Sequence, residues 1–99
     1  MRPVFIVAAR RTPIAPKNGS LGEVPFFDLA ACAIRAVLQD LSARGDSPEI
    51  SAFFAGNACG AGGNPARLMA LASGLPQGTS ALTIDTQCCS GLDAIGLAF

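Results

Sequence analysis

Cys88 and Cys89 stand side by side in Thr83-Ile84-Asp85-Thr86-Gln87-Cys88-Cys89-Ser90-Gly91-Leu92, the stretch whose residue types suit covalent chemistry. Ser80 to Asp85 has the composition of a strand. The apolar run to Phe99 predicts a helix that Cys88 or Cys89 opens. N–H groups at a helix start have no intrahelical acceptor, and they turn partial positive charge toward whatever lies there. A cysteine so placed is favoured as thiolate, the nucleophilic form. The same N–H groups can bond the oxyanion that forms when sulfur attacks a carbonyl carbon. The competing reading makes Cys88 and Cys89 small buried apolar residues, the usual state of free cysteine. The sequence contains no histidine to act as base, so the pattern yields a nucleophile without its partner.

Gly56 to Gly63 follows a predicted strand and precedes a predicted helix, the place of a phosphate cradle. The dinucleotide fingerprint fails, because counting from Gly60 and Gly62 its third glycine falls on Pro65. No Gly-Lys-Ser/Thr follows, so the P-loop fails as well. A tight turn that lets backbones pass closely is the favoured reading. Cys32 lies in a helical pattern and Cys59 in this loop. With no Cys-x-x-Cys and no histidine, neither a disulfide framework nor a zinc site is expected.

The elements that must position Cys88 read as three β-α units in succession. Val4 to Ala9 is a continuous apolar run rich in β-branched residues, predicting a strand buried on both faces. Pro13, Pro16, Gly19 and Gly22 break the connection that follows. From about Pro25 to Ala43, Ala30, Ala33, Ile34, Val37, Leu38 and Leu41 fall at helical spacing. Asp28, Arg35, Gln39 and Ser42 lie opposite, and Gly45 stops the helix. Ile50 to Ala55 predicts the second strand. Asn64 as N-cap and Pro65 as first helical residue launch a helix to about Ser73, stopped by Gly74 and Pro76. In the third strand Leu82 and Ile84 share one face, Ala81 and Thr83 the other. The helix from Leu92 to Phe99 is expected to fix the cysteine by packing into the core, with Gly91 and Gly96 permitting close approach. Strands alternating with helices imply an α/β fold with a mainly parallel sheet.

The chain of 99 residues is 51% apolar and only 14% charged, an unusual share of apolar surface for one small core. That balance, and a final apolar run without a stop signal, predict residues 1–99 to be one part of a larger unit whose surface meets further sequence or a second subunit. Seven basic residues balance seven acidic ones, so no basic field for nucleic acid is present. The run from Val4 to Ala9 is too short for a signal peptide core, and no membrane span is present. Arg10-Arg11 is followed by a polar stretch, unlike a twin-arginine signal. The free thiols fit a reducing cytoplasm.

Four landmarks in order resemble the thiolase family across the whole chain. They are Arg11-Thr12-Pro13 after the first strand, Gly56-Asn57 after the second, Asn64-Pro65-Ala66-Arg67, and Cys88-Cys89-Ser90-Gly91-Leu92 after Thr83-Ile84-Asp85. In the family the last reads Cys-Gly-Ser-Gly-Leu after Thr-Ile-Asn, so Cys89 stands in place of a glycine. The loop between Gly56-Asn57 and Asn64-Pro65 is also shorter than usual.

The resemblance implies a layered thiolase-like fold of two similar α/β halves, of which residues 1–99 supply the first three β-α units of the N-terminal half. It implies an acyltransferase that makes or thiolytically cleaves 3-ketoacyl-CoA in fatty acid metabolism, with Cys88 acylated. Coenzyme A thioesters are the substrates, and no bound cofactor or metal is expected. The histidines and second cysteine of the family's mechanism lie in later motifs, so residues 1–99 alone are expected to be inactive. The family pairs its third strand across a twofold axis. That makes Ser80, Ala81, Leu82, Thr83 and Ile84 the expected edge of a homodimer, alone or within a homotetramer. Ketoacyl synthases also place cysteine at such a turn but lack the Arg-Thr-Pro and Asn-Pro-Ala-Arg landmarks. A non-catalytic thiolase-like binding protein is the other alternative, which the absence of later Gly-His-Pro and Cys-x-Gly segments would favour; their presence would support catalysis.

Overall fold

The computed structural model describes residues 2–99. Its elements in chain order are α1 (Phe26–Ala43), β1 (Ala52–Gly56), α2 (Pro65–Ala72), β2 (Ser80–Ile84), a short 3₁₀ turn (Gln87–Cys89) and α3 (Ser90–Ala98). β1 and β2 pair in parallel, Ala52 opposite Ser80 through Gly56 opposite Ile84. The expected α/β arrangement is present, and paired side chains of equal parity fall on one face of the sheet. Thr83 and Ala81 face α2, whereas Gly56 backs onto α3.

Each helix forms where local chemistry directs it. α1 buries Ala31 and Leu41 and half-buries Ala33, Ile34, Val37 and Leu38, while Asp28, Arg35, Gln39 and Ser42 stay exposed. It packs on α2. Gly45, at φ +78°, follows its C-cap and takes the left-handed turn that a side chain would resist. Asn64 caps α2 as predicted, accepting the Arg67 N–H at 3.3 Å, and Pro65 occupies the first turn. Pro65 and Ala66 are buried against the sheet.

Two expectations are corrected. Residues 4–9 form no strand. Phe5 and Ile6 are 74% and 75% exposed rather than buried on both faces. β propensity supplies no ladder partner, and without one the backbone groups of a strand turn to water. The segment is held instead by side chains of α1 and its cap. Arg10 grips Asp40 through Nε at 2.7 Å and Nη2 at 2.8 Å, and Arg44 donates to the Val7 carbonyl.

The second correction concerns α3. Its small residues, not its large ones, face the sheet: Ser90 and Ala94 are buried, while Leu92, Ile95, Leu97 and Phe99 are exposed. A side chain on Gly91 or Gly96 would meet nothing within 4 Å. The close approach occurs at Gly56, where an added Cβ would lie 2.7 Å from both the Gly91 nitrogen and the Ser90 carbonyl carbon. A glycine at the end of β1 therefore lets α3 lie directly on the strand.

Candidate active site

Cys88 sits in the 3₁₀ turn between β2 and α3, one residue ahead of the α3 N-cap, which is Cys89. Its predicted place at a strand-to-helix turn is the observed one, although the nucleophile candidate precedes the helix rather than opening it. Cys88 and Cys89 are both exposed, so the reading of buried apolar residues fails for each. Cys32 and Cys59 are exposed as well.

The turn is pinned by hydrogen bonds at almost every residue. Asp85 Oδ1 accepts the Gln87 N–H at 3.0 Å. Ser90 Oγ accepts the Thr86 N–H at 2.9 Å and donates to the Gln87 carbonyl at 2.7 Å. Thr86 Oγ1 reaches forward to Asp93 Oδ2, in the first turn of α3, at 2.5 Å. The Cys89 N–H bonds the Thr86 carbonyl at 3.3 Å. Gln87 adopts φ +57°, a left-handed conformation that costs any residue with a Cβ. The residue immediately before Cys88 is thus strained, and its neighbours hold it so.

The strand that delivers this turn is anchored from the other side by Asn64-Pro65-Ala66-Arg67. Thr83 Oγ1 donates to Asn64 Oδ1 at 2.5 Å and accepts the Ala66 N–H at 3.1 Å. Asn64 Nδ2 donates to the Ala81 carbonyl at 3.1 Å. Arg67 spans to the carbonyls of Thr79, at 3.2 Å, and Gln77, at 3.0 Å. The start of α2, with its buried Pro65 and Ala66, locks β2 in place and with it the base of the cysteine turn. Sequence reasoning found Asn64 and Pro65 as helix starters but missed their grip on β2, which only the fold brings within reach. It also missed Ser90, Thr86 and Asp93 as braces. A hydroxyl at residue 86 and a carboxylate seven residues on give no local pattern until a 3₁₀ turn brings them together.

Of the glycines from Gly56 to Gly63, only Gly56 meets another backbone closely; Gly63 takes φ +76°, and a side chain on Gly62 or Gly63 would meet nothing within 4 Å. The Asn57 N–H extends the ladder to the Ile84 carbonyl at 2.9 Å, and Asn57 Nδ2 bonds the Ala61 carbonyl at 3.0 Å. An apolar groove of about 280 Å³ runs between α1 and β1, lined by Ala33, Ile34, Val37, Leu38, Phe53 and Leu75 among others. Another lies between β1 and α3. Cys88 lines neither groove. No helix among the described residues is long and apolar enough to cross a membrane.

Comparison with known proteins agrees with this geometry. Residues 4–99 match the family model described as "Thiolase, N-terminal domain". A probable acetyl-CoA acetyltransferase of Mycolicibacterium smegmatis is 42% identical over 94 residues, covering 95% of this chain and 24% of the relative. A probable acetyl-CoA acyltransferase of Staphylococcus aureus is 38% identical over 101 residues, covering 100% of this chain and 25% of the relative. The solved acetyl-CoA acetyltransferase from Syntrophomonas wolfei superposes with a TM-score of 0.76 at 31% identity, covering 94% of this chain and 23% of that one. The chain therefore spans about a quarter of the length of the curated relatives it matches. By that family-model match over residues 4–99, together with its parallel β-α order, this chain belongs to the thiolase family through the N-terminal domain.

Proposed function

We propose that residues 1–99 are the N-terminal part of a thiolase, an acyltransferase acting on coenzyme A thioesters, with Cys88 as its nucleophile. The observation that carries this reading is an exposed thiol in a strained, hydrogen-bonded strand-to-helix turn, in a chain of the thiolase family. In thiolysis the Cys88 thiolate attacks the 3-keto carbon of a 3-ketoacyl-CoA, the tetrahedral oxyanion collapses with cleavage of the C2–C3 bond, and acetyl-CoA leaves as its enolate, which takes up a proton at C2. In the condensing direction the thiolate attacks the thioester carbonyl carbon of an acyl-CoA, and coenzyme A leaves as thiolate and takes up a proton. The acyl group on sulfur then passes either to a coenzyme A thiol, which gives up its proton, or to the α-carbon of a second acyl-CoA, which gives up an α-proton, and the Cys88 thiolate is released. The first outcome completes thiolysis of a 3-ketoacyl-CoA, and the second makes one. No histidine is present in these residues, so the base that receives the Cys88 proton comes from outside them. Residues 1–99 alone have no turnover on this reading.

The dimer edge belongs to the same proposal. Ladder bonds from Ser80 N–H to the Ser51 carbonyl, at 3.1 Å, and from Asn57 N–H to the Ile84 carbonyl turn residues 80, 82 and 84 toward β1. The backbones of Ala81 and Thr83 face the opposite edge, where a second copy's strand can add. Of these groups the Ala81 carbonyl already accepts from Asn64.

The test uses the full-length protein. Acetyl-CoA is expected to protect Cys88 from iodoacetamide, and Cys88→Ala to abolish thiolysis of acetoacetyl-CoA, a loss on the order of 10⁴-fold or more. A Cys88→Ala protein that kept its rate would show that another group is the nucleophile.

A further inference from the structure

Among the groups that shape the cysteine turn, Ser90 is set apart by burial. It is 3% exposed, whereas the Thr86–Asp93 bond and the Asp85 contact lie at the surface, where water competes for them. Its hydroxyl is both acceptor and donor, to Thr86 N–H and to the Gln87 carbonyl. Those two backbone groups bracket the dihedral angles that carry Gln87 into the left-handed region. A glutamine stays there only when its surroundings over-determine it. Because Cys88 follows Gln87 directly, the path of the chain through Gln87 sets the direction of the Cys88 Cα–Cβ bond.

We infer that Ser90 is the positioning residue of the nucleophile turn: its buried hydroxyl, bonded to the Thr86 N–H and the Gln87 carbonyl, holds Gln87 left-handed and so aims the Cys88 thiol. Ser90 touches no reacting atom; it acts through the backbone on either side of Gln87. Gly56 complements it, since the close seat of α3 on β1 places Ser90 out of water. The inference rests on Cys88 being the nucleophile, and its test separates the two.

In the full-length protein, Ser90→Ala is expected to lower kcat for acetoacetyl-CoA thiolysis about tenfold or more with KM unchanged, as a misaimed nucleophile does. The ratio of Cys88 to Cys89 alkylation by iodoacetamide, read by peptide mapping, shifts against Cys88. A double-mutant cycle with Gln87→Gly gives the signature that general loosening would not. Glycine reaches the left-handed conformation unaided, so Ser90→Ala costs a smaller factor in the Gln87→Gly background. Equal factors in both backgrounds, or an unchanged rate and alkylation ratio in folded Ser90→Ala, overturn the inference. If Ser90→Ala fails to fold alone, the double variant is compared with Gln87→Gly, and a double variant that is equally unfolded also overturns it. Should Cys88→Ala retain turnover, the nucleophile assignment fails, while the alkylation ratio still reports the brace independently.

Discussion

Residues 4–9 and residues 80–84 have much the same character in the sequence, short apolar runs with β-branched members, and they end in opposite states. β2 has a ladder partner in β1, a threonine bonded into the cap of α2 and a turn tied at both ends. The N-terminal run has neither ladder nor cover and is attached to the rest of the chain through two arginines. Local propensity is alike in the two segments, so it does not account for the difference. A neighbouring edge and a set of buried polar partners do. The body around Cys88 is accordingly fixed by a network that includes part-buried bonds of Thr83 and Ser90, and the first segment by exposed ones alone. Substitutions in the two regions should differ both in size and in what they disturb.

The largest effect is expected at Gly56. Its α-hydrogen faces the backbone of Ser90 and Gly91, and backbone atoms cannot swing aside as a flexible side chain can. Gly56→Ala should destabilise the chain by about 1–3 kcal/mol, read from the urea midpoint, because α3 must move off β1. The displacement also draws Ser90 from its seat, so amide exchange at residues 86–90 should quicken beyond what the global loss explains. A variant of unchanged stability would mean that α3 is not held by this contact, and the contrast between a locked body and a loose segment would weaken.

A smaller effect is expected at Asn64, which combines a helix cap with a clasp on β2. Asn64→Ala removes the acceptor of the Arg67 N–H and leaves the Thr83 hydroxyl without its acceptor, a loss of about 1 kcal/mol for bonds this exposed. Asn64→Asp keeps the acceptor and loses only the donor to the Ala81 carbonyl, so it should fall between Asn64→Ala and the unchanged chain. Thermal melting of the three proteins checks the order. If Asn64→Asp is as damaging as Asn64→Ala, the clasp on Ala81 outweighs the cap.

What the sequence made legible follows the same division. α1, the Asn64-Pro65 helix start, the parallel order and the position of Cys88 at a strand end were all readable, because each depends on periodicity, capping or turn chemistry within a few residues. The strand expected over 4–9 was not found, since pairing is a property of the partner and not of the run. The apolar face of α3 also misled. Hydrophobicity counted Leu92, Ile95 and Leu97 as core, but the close seat over Gly56 admits only Ser90, Gly91 and Ala94. Gln87 gave no signal either, as glutamine is not a residue chosen for φ above zero. Its conformation is imposed by Ser90 and Asp85 from outside, and no composition rule anticipates it.

The smallest effect belongs to the surface tie of the N-terminal segment, and its pH dependence has a definite sign. Hydrogen bonding from Arg10 holds the Asp40 carboxyl below its ordinary value; desolvation opposes it, and the positive charges of Arg10 and then Arg44 add lesser pulls downward. A carboxylate with a lowered folded-state pKa contributes its full stabilisation above the unfolded value, about 3.9, and loses it as pH falls through the folded one. Tethering of residues 2–15 should therefore be unchanged at neutral pH and weaken only below about pH 4. Added salt should also loosen it, because both partners are open to solvent. Asp40→Asn should leave the global melting temperature within scatter yet speed amide exchange in residues 2–15 and tryptic cleavage after Arg10 and Arg11. If Asp40→Asn instead lowered the global melting temperature as far as Asn64→Ala does, the first segment would be an integral part of the cooperative unit, and the distinction between the two apolar runs would lie in exposure alone.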